Sequence, residues 1–280
     1  MQIRVRCSPD ADDLFMMRAL LEGHLDTGPY TFVVDTAPTD ALNRLASGDD
    51  SPEVCAISIA HLPFIAERYQ LLPHGGSMGE GYGPVVVAKQ PMSPGDLVGR
   101  RVGIPGTTTS AWATLQFVVP ELTPVVVPIV PYRGIFDALE KGEVDAGLLI
   151  HEGRLTYEEM GLAKVVDLGE WWAAHTGGLP LPLGGNAIAR RLGPEHIARI
   201  SGLLRASIAH ALGARDEAIA WLLQGDTALR TPEKLSEYLD MYANGRTLDY
   251  GPDGREAIER FLAETSAAGI LPPVTVDYAP

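Results

Sequence analysis

The stretch that most constrains this chain runs from Arg133 to Tyr157, RGIFDALEKGEVDAGLLIHEGRLTY. Its first half has apolar residues at helical spacing (Ile135, Phe136, Leu139), Gly142 stops the helix, and Val144 to Ile150 follow as an apolar run broken only by Asp145. That is helix, tight turn and buried strand. The run breaks off at His151, Glu152, Gly153 and Arg154, so a titratable ring is delivered to the carboxyl end of a parallel strand. In open α/β sheets ligands sit at that edge.

The same unit occurs once earlier. Asp40 to Ala60 has a helix face at Leu42 and Leu45, a stop at Gly48, and a strand from Val54 to Ile59 with Ser58 near its far end. Two copies are too few for a solenoid. They predict an α/β protein of two similar lobes joined by two hinge crossings, with the site in the cleft.

A chain of 280 residues, 46% hydrophobic and 21% charged, has the composition of a globular protein of about two domains. A net charge of −14 excludes a basic stripe for nucleic acid and makes long-range attraction of an anion unfavourable. An anionic small molecule would have to be held by local donors. The opening MQIRVRCSPDADD reads as a strand and not as a secretory leader, and no window approaches a membrane span, so a cytoplasmic location without membrane attachment is expected. Cys7 and Cys55 belong to no CxxC pair or Cys/His cluster and read as buried free thiols.

In chain order, Ile3 to Cys7 is the first strand, and Ser8 to Asp13 turns into a helix over about Leu14 to Glu22. Ser8 and Asp12 are placed on the cleft floor; the acids of this turn read as helix-capping residues and not as a metal site. Strands are expected at Tyr30 to Asp35, Val85 to Ala88, Arg101 to Ile104, Val125 to Val130 and Val165 to Leu168, with a short helix at His61 to Arg68. The glycine-rich segment before Val85 lacks the GK[ST] of a phosphate loop and suits a backbone passing close to a ligand or to the other lobe. His74 within it reads as a loop histidine. The Trp171-Trp172 pair reads as lobe core. The outward crossing is expected near Val87 to Gln90 and the return at Gly177 to Gly185, which makes the larger lobe discontinuous, residues 1–88 and 186–280, around a smaller lobe of residues 89–185. The helices beyond Asn186 show no sign of chemistry.

Thr107, Thr108, Thr109 and Ser110 stand just before the helix Ala111 to Val118. Hydroxyls beside the free N–H groups of a helix start can cradle a carboxylate or phosphate, although one of them would be spent as a plain N-cap. His151, this hydroxyl-rich helix start and Ser58 together suit proton transfer on a small anionic ligand. A Ser58–His151 nucleophile pair is the weaker reading, because no GxSxG elbow accompanies it.

Several strings, in order, resemble the 1,4-dihydroxy-6-naphthoate synthases of the futalosine route to menaquinone: Ser8-Pro9 with Asp12-Asp13-Leu14-Phe15, Leu42-Asn43, Tyr69 with GGSMGEGYGPVVVAK, Ile104-Pro105-Gly106, GLLIHEGRLTYEEMGLAKVVDLGEWW and TGGLPLPLGGNAIARR. The resemblance implies a type II periplasmic-binding-protein architecture used as an enzyme, a lyase that converts cyclic dehypoxanthinyl futalosine to 1,4-dihydroxy-6-naphthoate without a cofactor or metal. It implies that His151 is the general base and that product contacts fall on Ala56, Ile57 and Ser58 and on Ser110 and Ala111. Members of that family read Ser-Pro-Cys-Pro-Asn-Asp at the first turn, where this chain has Ser8-Pro9-Asp10-Ala11-Asp12-Asp13, and some carry lysine where Ala56 stands. Both departures leave a shifted substrate open. A binding protein of the same fold and the sister enzyme chorismate dehydratase are the alternatives. Nothing in the sequence bears on oligomeric state.

Overall fold

The computed structural model describes residues 1–128, 133–225 and 229–280. Among these the chain runs β1 (Gln2–Cys7), α1 (Ala11–Leu21), β2 (Thr31–Thr36), α2 (Thr39–Ser47), β3 (Val54–Ser58), β4 (Tyr69–Leu71), β5 (Ser77–Gly79), β6 (Val85–Ala88), β7 (Arg101–Ile104), α3 (Ser110–Val118), β8 (Thr123–Val126), α4 (Gly134–Lys141), β9 (Ala146–Leu149), β10 (Ala163–Asp167), α5 (Leu168–Thr176), β11 (Leu181–Ala189), α6 (Pro194–Gly213), α7 (Arg215–Leu222), α8 (Pro232–Tyr242), α9 (Gly245–Leu248) and α10 (Gly251–Ala267).

These strands form two sheets. The first has the order β2-β1-β3-β11-β4, with β5 also on β11; the second has the order β10-β6-β9-β7-β8. In the first, β1 runs parallel to β2 and β3, whereas β11 is antiparallel to its neighbours. In the second, β7 is parallel to β8 and β9, and β6 is antiparallel to β9 and β10. The strand that precedes His151 therefore has the expected parallel neighbour on its β7 side and an antiparallel one, β6, on the other.

The unit that anchors the second sheet folds as its residues dictate. Ile135, Phe136, Ala138 and Leu139 are buried on one side of α4, and Gly142 ends the helix at φ 72°, a left-handed conformation that suits a residue without a β-carbon. Its N–H closes onto Ala138 and Leu139 carbonyls. In β9 all four residues are buried. The first sheet is covered by α1 and α6 through Met16, Met17, Ile200 and Leu204, which pack on Ile3 and Val5. On its other face α10 contributes Ile258 and Phe261 to a core with Leu71 and Leu181.

Several boundaries differ from the sequence reading. Val85–Ala88 belongs to the second sheet and not to the end of the larger lobe, so the outward crossing falls ahead of Val85; four valine and alanine residues look alike in either sheet. The return reaches β11 already at Leu181. Pro182 and the glycines hid this strand, whose register shifts between Pro182 and Gly184. Only a 3-10 turn, Ile59–Phe64, occupies the place of the helix expected at His61 to Arg68. Residues 129 and 130 of the strand expected at Val125 to Val130 lie outside the described residues. Helix α1 starts at Ala11 and so takes in Asp12 and Asp13.

Trp172 is fully buried, donates its indole N–H to Pro180 O at 3.0 Å and meets Phe261 edge-on, while Trp171 stacks between Phe117 and His175. Both indoles serve lobe packing. His74 is buried on Ser201 Oγ at 3.1 Å. Cys7 and Cys55 are free and buried, and burial pushes the Cys55 thiol up to about 12.

Candidate active site

A cleft of about 820 Å³, counted to its mouth, is lined from both sheets. The first sheet and its helices supply Ser8, Asp12, Asp13, Thr39, Ala56, Ile57, Ser58, Tyr238 and Tyr242, and the second supplies Thr109, Ser110, Ala111, His151 and Arg154.

His151 opens a 3-10 turn (His151–Leu155) directly after β9. Its φ is +52°, the one positive value at a non-glycine among the described residues. For a residue with a β-carbon that region is unfavourable and recurs at functional sites. Its ring reaches across to the first lobe on both sides. Nδ1 stands 3.1 Å from Asp10 Oδ2, and Nε2 is 3.3 Å from Thr39 Oγ1.

The turn that carries Asp10 is pinned by its own neighbours. Ser8 N–H donates to Asp13 Oδ2 at 2.6 Å, and Asp10 N–H donates to Ser8 Oγ at 3.1 Å. Asp10 occupies the N-cap position of α1 without a side-chain capping bond. Burial, reinforced by Asp13 and Asp10, pushes the Asp12 carboxyl well above its ordinary range. Asp13 is pushed up to about 6, again chiefly by burial. Ser8, Asp12 and Asp13 are buried and line the cleft, with Asp12 and Asp13 inside the first turn of α1 and not ahead of it. Among the described residues no group of three or more His, Cys, Asp or Glu is arranged to hold a metal ion.

The hydroxyls before α3 are mostly spent within the protein. Thr109 Oγ1 accepts from Trp112 N–H at 3.1 Å and is the N-cap. Ser110 Oγ donates to Leu183 O at 2.6 Å and accepts from Ala60 N–H at 3.1 Å. Thr108 Oγ1 donates to Asp40 Oδ1 and accepts from Asn43 Nδ2, both at 2.9 Å. Thr107 is exposed, and neither Thr107 nor Thr108 lines the cleft. The four hydroxyls therefore do not form the expected cradle: Thr108 and Ser110 are engaged across the lobes, Thr109 is the cap of its own helix, and Thr107 is exposed. What the helix start offers is backbone, because the N–H groups of Ser110 and Ala111 have no intrahelical acceptor and both residues line the cleft.

Ser58 lies at the end of β3, where its N–H donates to Asn43 Oδ1 at 2.9 Å and its hydroxyl accepts from Asn43 Nδ2 at 3.2 Å. Since the imidazole turns to Asp10 and Thr39, a Ser58–His151 nucleophile pair gains no support from the geometry. Arg154 donates Nη1 to Gly83 O at 2.6 Å and pairs with buried Asp167, which itself caps α5 through Gly169 and Glu170 N–H. The cation is thereby engaged as a strut between the hinge and α5.

Sequence reasoning missed Asp10, Asp13, Thr39, Arg154, Tyr238 and Tyr242. The two tyrosines sit four residues apart on α8, a helix expected to be chemically silent, and a pair of hydroxyls on the apolar stripe of Leu235 and Leu239 was the available signal.

The family model described as menaquinone biosynthesis matches residues 3–267. A 1,4-dihydroxy-6-naphthoate synthase from Thermus thermophilus is 36% identical over 271 residues, covering 97% of this chain and 96% of the relative. A crystal structure of a protein from Archaeoglobus fulgidus superposes with a TM-score of 0.88 at 38% identity, covering 96% of this chain and 98% of that one. The alkanesulfonate-binding protein of Xanthomonas axonopodis, solved with MOPS bound, shares the fold at a TM-score of 0.72 and 15% identity, covering 99% of this chain and 96% of its own.

Proposed function

We propose, from the premise that this chain belongs to the menaquinone biosynthesis family, that it is a cytoplasmic lyase converting cyclic dehypoxanthinyl futalosine to 1,4-dihydroxy-6-naphthoate with His151 as general base. The observation that supports the reading is the imidazole at the cleft wall, backed at Nδ1 by a carboxylate and turned at Nε2 toward a hydroxyl. In this reading Nε2 removes a proton from the spiro ring, elimination sheds the ribose-derived part, and aromatisation of the remaining rings supplies the driving force. The protein has to hold the substrate, take one proton and exclude water.

The substrate carboxylate is assigned to the α3 start, where the N–H groups of Ser110 and Ala111 and the positive end of the helix dipole can receive an anion without a free cation. That assignment suits a cleft whose arginine is already paired with Asp167. Ala56, Ile57 and Ser58 form the opposite wall for the rings.

The test is to incubate purified protein with cyclic dehypoxanthinyl futalosine and, separately, with chorismate, without added metal or cofactor, and to analyse the products by mass. The naphthoate is expected from the first only. His151→Ala is expected to abolish turnover while retaining the circular dichroism of the wild type. Water loss from chorismate, binding without conversion, or an unimpaired variant overturns the reading.

A further inference from the structure

We propose that Asp10 is the positioning residue for His151: supplied by the opposite lobe, it keeps the ring proton on Nδ1 and leaves the Nε2 lone pair facing the substrate only while the lobes are together. The inference rests on the reading of His151 as base and adds to it the partner that makes the ring competent.

Asp10 follows β1 of the first sheet, whereas His151 follows β9 of the second, so the 3.1 Å contact between Nδ1 and Oδ2 spans the cleft. The Asp10 side chain is fully buried, and that of His151 is 20% exposed. A carboxylate oxygen accepts and does not donate, so Nδ1 carries the proton whether the ring is neutral or cationic. In the neutral ring the lone pair then lies on Nε2, the nitrogen that meets the Thr39 hydroxyl. Thr39 lines the cleft, so a substrate reaching that hydroxyl also reaches the basic nitrogen.

Two features show that this geometry is built. The Ser8 hydroxyl and the Asp13 carboxylate fix the turn at 3.1 Å and 2.6 Å, which aims Asp10. The left-handed backbone at His151 is a conformation that its surroundings must hold in place. The contacts at its ring nitrogens, Asp10 and Thr39, both come from the other lobe. Separation of the lobes removes them together, so the base is assembled by closure.

The test uses full-length protein labelled with 15N-histidine, with the His151 ring signals assigned by their loss in His151→Gln. In wild type without substrate, the ring is expected in the Nδ1–H form. In Asp10→Ala, a population of the Nε2–H form is expected to appear, and kcat to fall by about 10²-fold with KM changed far less. Asp10→Asn presents an NH2 group to Nδ1 and is expected to lose as much, while Asp10→Glu restores part of the rate. A merely structural clamp would change KM or melting temperature and leave the tautomer untouched. An unchanged tautomer in both Asp10→Ala and Asp10→Asn overturns the proposal, as does an unchanged kcat. If wild type converts no substrate, the functional reading falls, and the ring signals alone decide whether Asp10 sets the tautomer.

Discussion

Tyr238 donates its hydroxyl to Asp12 Oδ1 at 3.1 Å, joining α8 to the first turn of α1 at the cleft wall. Both side chains are buried, and burial together with Asp13 and Asp10 raises the Asp12 carboxyl well above its ordinary range. Burial therefore disfavours the charged form of this carboxyl in the folded protein. Asp12→Asn, which matches a protonated carboxyl in shape and charge, is expected to keep stability within about 1 kcal/mol at pH 7, whereas Tyr238→Phe should lose roughly 1 kcal/mol. Urea denaturation at pH 7 measures both; a loss of several kcal/mol in Asp12→Asn would mean that the charged form is the one the fold needs.

Burial also holds the rings of His61 and His74 down at about 4, against an ordinary 6.5. Below 6.5 the unfolded chain binds protons on these rings while the folded chain does not, so their contribution is present above 6.5 and is lost as pH falls through 4. The loss is of the order of 3 kcal/mol for each ring. Asp13 works in the other direction. Its folded carboxyl titrates at about 6 against an ordinary 3.8, so its contribution is present below 3.8 and is lost as pH rises through 6. Denaturation at pH 7, 6, 5 and 4 should show wild type weakening as acid is added, and a His61→Asn/His74→Asn variant weakening much less. Equal slopes for the two proteins would refute the assignment.

At the hinge the backbone itself is in contact. A β-carbon on Gly169 would stand 2.0 Å from the Tyr82 carbonyl, and one on Gly83 would stand 2.7 Å from Gly169 N. Since the obstacle is main chain, it cannot rotate away. Gly169→Ala is expected to cost about 3 kcal/mol. Gly269→Ala, at φ 72° with nothing within 4 Å of the added carbon, should cost about 1 kcal/mol. Comparable melting temperatures for the two variants would show that the hinge tolerates displacement.

The parts of this molecule that could be read from the sequence were those fixed by local periodicity. Val144 to Ile150 read as a buried strand with a ring at its end, and Ala146–Leu149 of it is one. The partners of that ring were not legible, because Asp10 lies far from His151 in the chain and resembles any other acid in a helix-starting turn. Four consecutive hydroxyls looked like a ligand cradle because side-chain chemistry is visible in a sequence, whereas the Asp40, Asn43 and Leu183 groups that engage them are not. Tyr238 and Tyr242 were hidden by the same limit: an amphipathic helix reveals its apolar stripe but not what lies beyond it.

The place of β11 in the first sheet has a consequence for the order of assembly during synthesis. Its residues Gly184 to Ile188 pair with Val54 to Ser58, and the whole second sheet is encoded between these two segments. While a ribosome adds the intervening hundred or so residues, roughly 5 to 20 s at common rates, β3 waits with one edge unpaired. The inserted sheet can close first, and the earlier-made one is sealed only when Leu181–Ala189 emerges. Nascent chains stalled short of this strand should accordingly be cut by protease within their first 60 or so residues while the later sheet resists.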